Sequence, residues 1–224
     1  MKKNFIYLVS GKSLNGKDSL YLQCKEEVGW QQASFAKKLK EAVADLYNFS
    51  YEQMYGSLKD VEDTRYPNTF DKKEVVKYDS DSYGERLWTE HLVPNVDFKP
   101  FLTPRRVLQV FGQQQRSLFP DIWPSYVFST TIPNLIKEGF NRVVITDVRF
   151  KNEIVVANNL KPENSQLVKI RVVRPGVFAK TGANDISEVD LDTYTDWDYV
   201  IQNDGTLEDL RLKGLKIIKE VEGI

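Results

Sequence analysis

Short apolar runs rich in β-branched and aromatic residues recur along the chain, separated by longer stretches of mixed polarity. The runs Phe5 to Val9, Trp30 to Phe35, Arg142 to Thr146, Leu167 to Val173 and Tyr199 to Ile201 predict strands. Helical periodicity predicts helices over Lys17 to Glu27, over Ala36 to Tyr47 with Leu39, Ala42, Val43 and Leu46 on the apolar face, and over Pro104 to Leu118. It continues near Ser125 to Lys137 and through Asn152 to Leu160. It closes over Thr206 to Glu220, where Thr206 and Asp209 stand as a capping pair. Strand and helix alternating in this way build an α/β fold around a central parallel sheet. Two stretches interrupt the alternation, because Tyr55 to Phe101 and Pro175 to Asp196 are polar and aperiodic. Segments this long inside a compact domain are commonly functional. One domain over 1–224 is therefore expected, with a binding insertion over about 51–135 and a lid over 175–196.

Bulk composition narrows the ligand more than the fold. A chain of 224 residues with 41% hydrophobic and 28% charged residues can bury a full core as a single domain. The net charge of −1 lacks the basic excess that a nucleic-acid polymer demands, which favours a small ligand. One cysteine and one histidine exclude an internal disulfide, a paired-cysteine redox motif and a His/Cys zinc cluster. Cys24 is expected as a packed core thiol, and His91, among Trp88, Leu92 and Val93, as a structural residue. No apolar stretch approaches the roughly 20 residues needed to cross a bilayer. A soluble, cytoplasmic protein with no membrane partner is expected.

The strongest local signal is Gly11-Lys-Ser-Leu-Asn-Gly-Lys-Asp-Ser19, between the first predicted strand and helix. This G-x-x-x-x-G-K spacing makes a phosphate cradle. Gly11 and Gly16 admit backbone geometry closed to other residues. The N–H groups of Asn15, Gly16 and Lys17 form an anion nest, with Ser13 and Leu14 completing the loop. Lys17 would reach the β- and γ-phosphates of ATP. Asp18 stands where Ser or Thr usually holds Mg²⁺, so Asp18 and Ser19 compete for the metal. Asp147 ends an apolar strand as a second candidate for Mg²⁺ or its waters, and Arg149 follows at the same sheet edge.

On the predicted helix from Pro104, with Thr103 as its cap, Arg105, Gln109, Gly112, Gln113 and Arg116 share one arc that holds no acid. Val107, Leu108, Phe111 and Leu118 fall opposite. The polar arc reads as a surface for an anion and a base. Trp123 can stack on a base or pack in the core.

Together these residues resemble the bacteriophage deoxynucleoside monophosphate kinase family, which has a P-loop NTPase fold. The similar segments are Ser10-Gly11 with Gly16-Lys17-Asp18-Ser19, Phe35-Ala36 through Glu41, and Thr103-Pro104-Arg105 with Leu108-Gln109 and Gly112. Asp147-Val-Arg149-Phe-Lys-Asn152-Glu153, Arg174-Pro175-Gly176 with Ser187-Glu188, and Asn203-Asp204-Gly205-Thr206-Leu207 continue them in order over nearly the whole chain. The resemblance implies ATP and Mg²⁺ in the loop. It implies a deoxynucleoside monophosphate near Phe35, Ala36, Arg65, Arg105, Gln109, Trp123, Asp147, Arg149 and Glu153, with Gln113 and Arg116 on the same helix face. It also implies a closing lid with Arg174 and Lys180, and the family analogy points to a homodimer. Lys17, Arg105 and Arg149 are the expected catalytic groups. Departures stand at Lys151, where a proline is common, at Gln113-Gln114, and before Ser187, where no histidine stands. Two other readings stay open: a P-loop kinase of another phosphorylated metabolite, such as phosphomevalonate or dephospho-coenzyme A, and a nucleotide-binding switch without turnover.

Overall fold

The computed structural model describes residues 3–68, 99–176 and 189–224. His91, Trp88, Leu92, Val93, Lys180, Ser187 and Glu188, and most of the expected lid, lie outside the described residues. The chain divides into two compact units, Met1–Lys38 with Phe119–Ile224, and Leu39–Leu118.

The first unit holds the sheet. Strands β1 (Asn4–Ser10), β2 (Gln31–Ala33), β3 (Arg142–Val148), β4 (Ser165–Val173) and β5 (Tyr199–Gln202) form five parallel strands in the order β2-β3-β1-β4-β5. The runs of Ile, Val and Leu in β1 and β3 fill strands buried on both faces, with β1 buried from Phe5 to Ser10, while β4 alternates and β5 leaves Val200 exposed. This is an α/β fold with an all-parallel sheet flanked by helices. Strand β2 is shorter than expected: Trp30 precedes it and packs on Tyr7 with ring centroids 5.2 Å apart, while Phe35 already begins a helix.

Helix α1 (Lys17–Val28) follows β1, and the closing helix, spanning Leu207–Glu222, packs against it. Gly214 permits that approach, because a side chain there would press on Leu20 and Cys24. Thr206 and Asp209 make the expected reciprocal cap, with the Asp209 N–H donating to Thr206 Oγ1 at 3.1 Å and the Thr206 N–H to Asp209 Oδ2 at 2.8 Å. Tyr7 and Arg142 tie this helix end to the sheet through Glu222, whose side chain is 2% exposed.

Helix α2 (Phe35–Tyr47) leaves the first unit and runs into the second, where α3 (Tyr51–Tyr55), a 3₁₀ turn (Ser57–Asp60) and α4 (Pro104–Leu118) lie. Thr103 caps α4 as expected, its Oγ1 accepting from the Arg106 N–H at 3.1 Å. Two side chains depart from the expected apolar faces. Leu46 of α2 is 67% exposed and Leu118 of α4 is 83% exposed, both near helix ends where the packed stripe has run out. Gly112 departs the other way, since it is buried with a Leu39 methyl carbon 3.0 Å from where a Cβ would stand.

Back in the first unit, α5 (Ile122–Tyr126), a π turn (Val127–Thr131) and α6 (Ile132–Lys137) form one run, starting earlier than expected. The π turn leads into Pro133, which has no N–H and needs room against the preceding turn. Helix α7 (Lys151–Leu160) follows β3, and the closing helix Leu207–Glu222 is α8. Among the described residues no helix is long and apolar enough to cross a membrane.

Candidate functional site

The glycine loop emerges from the carboxyl end of β1 and turns into α1. Its two glycines are fixed by close approach as well as by angle. Gly11 has φ 155°, and a Cβ there would collide with the Val172 carbonyl oxygen of β4. Gly16, at φ 99°, would meet the amide of Asn203. Two asparagines then pin the loop to the strands beside it: Asn15 Nδ2 donates to the Val172 carbonyl at 3.2 Å, and Asn203 Nδ2 donates to the Asn15 carbonyl at 2.9 Å. Leu14 adopts φ 65° at the exposed tip. Lys17 is 7% exposed and donates through Nζ to the Lys12 carbonyl at 2.9 Å, so its ammonium lies across the loop it is expected to serve.

Asp18 and Ser19 occupy the first turn of α1. The Thr146 hydroxyl of β3 donates to Asp18 Oδ1 at 2.8 Å, and Gln32 Nε2 donates to Thr146 Oγ1 at 3.0 Å. This chain fixes an exposed carboxylate beside the loop. Among the described residues no group of three or more His, Cys, Asp and Glu side chains could hold a metal ion by itself. One carboxylate and one hydroxyl are what magnesium takes from protein when phosphate and water supply its other ligands, so Asp18 and Ser19 fit such an ion.

Asp147, expected near the metal, meets the start of α2. Its carboxylate accepts from the Ser34 hydroxyl at 2.8 Å and from the N–H groups of Phe35 at 3.2 Å and Ala36 at 3.0 Å. Both oxygens thus accept at the N-terminus of α2, where the helix leaves donors to satisfy. Phe35 and Ala36 lie there at the carboxyl edge of the sheet, and the Phe35 ring packs on Phe128 at 6.4 Å.

Glu153, expected near the acceptor, is 2% exposed. Its Oε2 accepts from the N–H groups of Arg149 at 2.7 Å and Phe150 at 3.0 Å, capping α7 and fixing the backbone that carries Arg149. Trp123 is buried at 6% exposure. Arg174 is exposed at the end of β4.

In the second unit the two arginines expected at the acceptor are both held by acids. Arg105 pairs through Nε and Nη2 with Asp60, the Nη2 contact at 2.9 Å. Arg65 grips Asp63 through Nε at 2.9 Å and Nη2 at 2.6 Å. The hydrogen bonds from Arg65 hold the Asp63 carboxyl well below the usual carboxylate range, and Arg105 lowers Asp60 likewise. Gln109 and Gln113 are exposed on α4, with Arg116 half-buried. The arc free of acid along α4 is therefore not free of acid in space.

A cleft in the first unit is lined by Ser10, Gly11, Lys12, Val148, Arg149, Arg171 and Leu191. It joins the loop to Arg149 at the carboxyl edge of β1, β3 and β4. Lys12, Arg171 and Leu191 gave no signal in the chain pattern. Arg171 sits on alternating β4 as an ordinary polar position, and Leu191 lies in an aperiodic stretch.

No protein-family model matches the chain. A curated protein of Acanthamoeba polyphaga mimivirus, named "Putative deoxynucleotide monophosphate kinase", is 27% identical over 206 residues, covering 91% of this chain and 90% of that one. Among solved structures, a sugar kinase from Janibacter sp. HTCC2649 is similar at TM-score 0.47 and 11% identity, over 97% of this chain and 95% of that one. Dephospho-CoA kinase from Campylobacter jejuni is similar at TM-score 0.44 and 15% identity, over 96% of each chain. The fold assignment rests on the chain's own strand order and register.

Proposed function

We propose that this chain is a P-loop kinase that transfers the γ-phosphate of ATP to the 5′-phosphate of a deoxynucleoside monophosphate. The observation that carries the reading is the cleft in which Gly11 and Lys12 of the loop meet Arg149 at one sheet edge. Such an edge is where open α/β sheets bind their ligands. A relative named for the same substrate class, 27% identical over most of both chains, supports the choice of acceptor.

In this reading the loop amides and Lys17 hold the β- and γ-phosphates, and Lys17 exchanges the Lys12 carbonyl for phosphate oxygen. Magnesium, held by Asp18 and Ser19, supplies charge neutralisation between the phosphates when bound. An oxygen of the acceptor phosphate attacks the γ-phosphorus in line, the bond to the β–γ bridging oxygen breaks, and ADP leaves with that electron pair. The acceptor is already an anion, so no general base is required. Arg149 stabilises the charge spread over the transferred group. Glu153 and Asp147 are positioning residues, one for Arg149 and one for the start of α2. In the first unit Phe35 and Ala36, and in the second unit Arg105, Gln109, Gln113 and Arg116 of α4, are each proposed as acceptor-binding groups. Arg65 is proposed to act in the second unit through its pair with Asp63, and Arg174 from the end of β4, while Lys180 lies outside the described residues.

The test is a panel of deoxynucleoside and ribonucleoside monophosphates, phosphomevalonate and dephospho-coenzyme A with ATP and magnesium, read by ADP release. Release that rises with deoxynucleoside monophosphates supports the reading. Release driven only by another metabolite transfers the reading to that substrate. Tight ATP binding without acceptor-dependent release replaces it with a nucleotide switch.

A further inference from the structure

Asp192 bridges two cations that belong to different elements. Its Oδ2 accepts from Lys12 Nζ of the glycine loop at 2.7 Å, and its Oδ1 accepts from Arg171 Nη2 of β4 at 3.3 Å. Arg171 is 14% exposed and is also fixed by two other groups: Nη1 donates to Ser10 Oγ at 2.9 Å, and the guanidinium lies 5.6 Å from the centre of the Trp197 ring. The cleft these residues border carries three cations, Lys12, Arg149 and Arg171, and no acid in its lining. Asp192 enters from a short segment anchored elsewhere, where Asp190 Oδ2 accepts from the Lys151 N–H at 2.7 Å and Lys151 Nζ donates to Thr193 Oγ1 at 2.8 Å.

We propose that Lys12, Arg149 and Arg171 form a phosphate subsite, and that the Asp192 carboxylate at its border is the internal anion that pairs with Lys12 and Arg171 until a phosphate group displaces it. A carboxylate spanning a lysine and an arginine through separate oxygens makes the contacts a phosphate would make, with less charge. Its pairs are exchangeable because Asp192 and Lys12 are solvent-exposed, and exposed ion pairs contribute little. Arg171 is the opposite case. Held by a strand hydroxyl and a ring, its planar fork is already oriented for two phosphate oxygens, so little ordering remains for binding to supply. The subsite rests on the proposed kinase reading only for which substrate brings the phosphate.

The test uses the full chain and calorimetric titration with tripolyphosphate, with ATP and with thymidine monophosphate, on wild type, Asp192→Asn, Arg171→Gln and the double variant. Removing the internal competitor is expected to tighten tripolyphosphate about threefold to tenfold. Arg171→Gln is expected to weaken it by about tenfold or more, and the Asp192→Asn gain disappears in the double variant. A gain with ATP assigns the subsite to the donor, and a gain with thymidine monophosphate assigns it to the acceptor. If Asp192→Asn binds tripolyphosphate no better than wild type, or if Arg171→Gln binds it unchanged, the inference is overturned. Should Arg171→Gln fail to fold, Arg171→Lys paired with Asp192→Asn decides on the same criterion. ADP release is measured separately. Unmoved binding curves in an active kinase defeat the subsite alone, and displaced curves in a protein without acceptor-dependent release defeat the kinase reading alone.

Discussion

The side-chain amide of Asn203 donates to the backbone carbonyl of Asn15 at 2.9 Å, joining the tip of the glycine loop to the end of β5 across 188 residues. Gly16 exists in that position because Asn203 fills the space a Cβ would need. The loop is thus held open by a neighbour rather than by its own sequence. Asn203→Ala is expected to weaken ATP binding by about tenfold, the worth of one buried hydrogen bond and the loop order it enforces. Gly16→Ala is expected to weaken it further, since collision adds to the strain at φ 99°. Titration with ATP checks both, and unchanged affinity in either variant removes the clamp from the account.

Glu153 and Arg149 make the second such relationship, with the Arg149 N–H donating to a carboxylate that is 2% exposed. Glu153→Ala strands two backbone donors and is expected to cost about 2 to 3 kcal/mol in urea unfolding. Glu153→Gln keeps one acceptor and is expected to cost about half as much. In both, turnover is expected to fall more than the KM for ATP rises, because Arg149 loses its aim while the loop keeps its geometry. A proportional rise in KM would place Glu153 in ATP binding instead.

Much of the framework was legible along the chain. Strands β1, β3 and β4 come from runs rich in branched apolar residues, and β1 and β3 are buried on both faces as the middle of a parallel sheet requires, whereas β2 is only Gln31–Ala33. The caps at Thr103 and Thr206 are local, since each needs only residues within a few positions, and the glycine loop shows itself by its spacing although distant residues hold it. What escaped depends on partners from elsewhere in the chain. Helical periodicity shows α4 without an acid on its polar arc, yet Asp60 reaches Arg105 from a separate turn. Asp147 ends its strand as expected, and its contacts with the start of α2 carry no signal in the chain pattern. Arg171 and Asp192 carry no pattern at all, and only the fold brings them together.

Acid should test the second unit by itself. Hydrogen bonds from Arg65 and Arg105 lower the Asp63 and Asp60 carboxyl groups beneath their usual 3.8. A folded value below the unfolded one favours the fold above 3.8, and that contribution fades as pH falls through the folded values. Urea unfolding is expected to lose stability steadily below about pH 4, and Asp63→Asn to flatten that loss. An unchanged slope in Asp63→Asn would take Arg65 out of the stability account.

Cys24 offers a probe of local opening. It is fully buried, its thiol directed at the Arg211 carbonyl at 3.7 Å, and burial pushes it up from 9.0 to about 11. The raised value stabilises the fold below 9.0 and is lost as pH rises toward 11. At about pH 8 a thiol reagent is expected to label the native protein only as fast as α1 and α8 separate, and the unfolded protein at once. Rapid labelling of the native state would contradict the packing of these helices.

The fate of the γ-phosphate tests the central claim most directly. Wild-type protein with γ-labelled ATP, magnesium and each deoxynucleoside monophosphate is expected to place the label in the β position of a deoxynucleoside diphosphate, and Lys17→Ala to reduce that rate by orders of magnitude while keeping its fold. Label that appears only in inorganic phosphate with every deoxynucleoside monophosphate, or full transfer in Lys17→Ala, would contradict it.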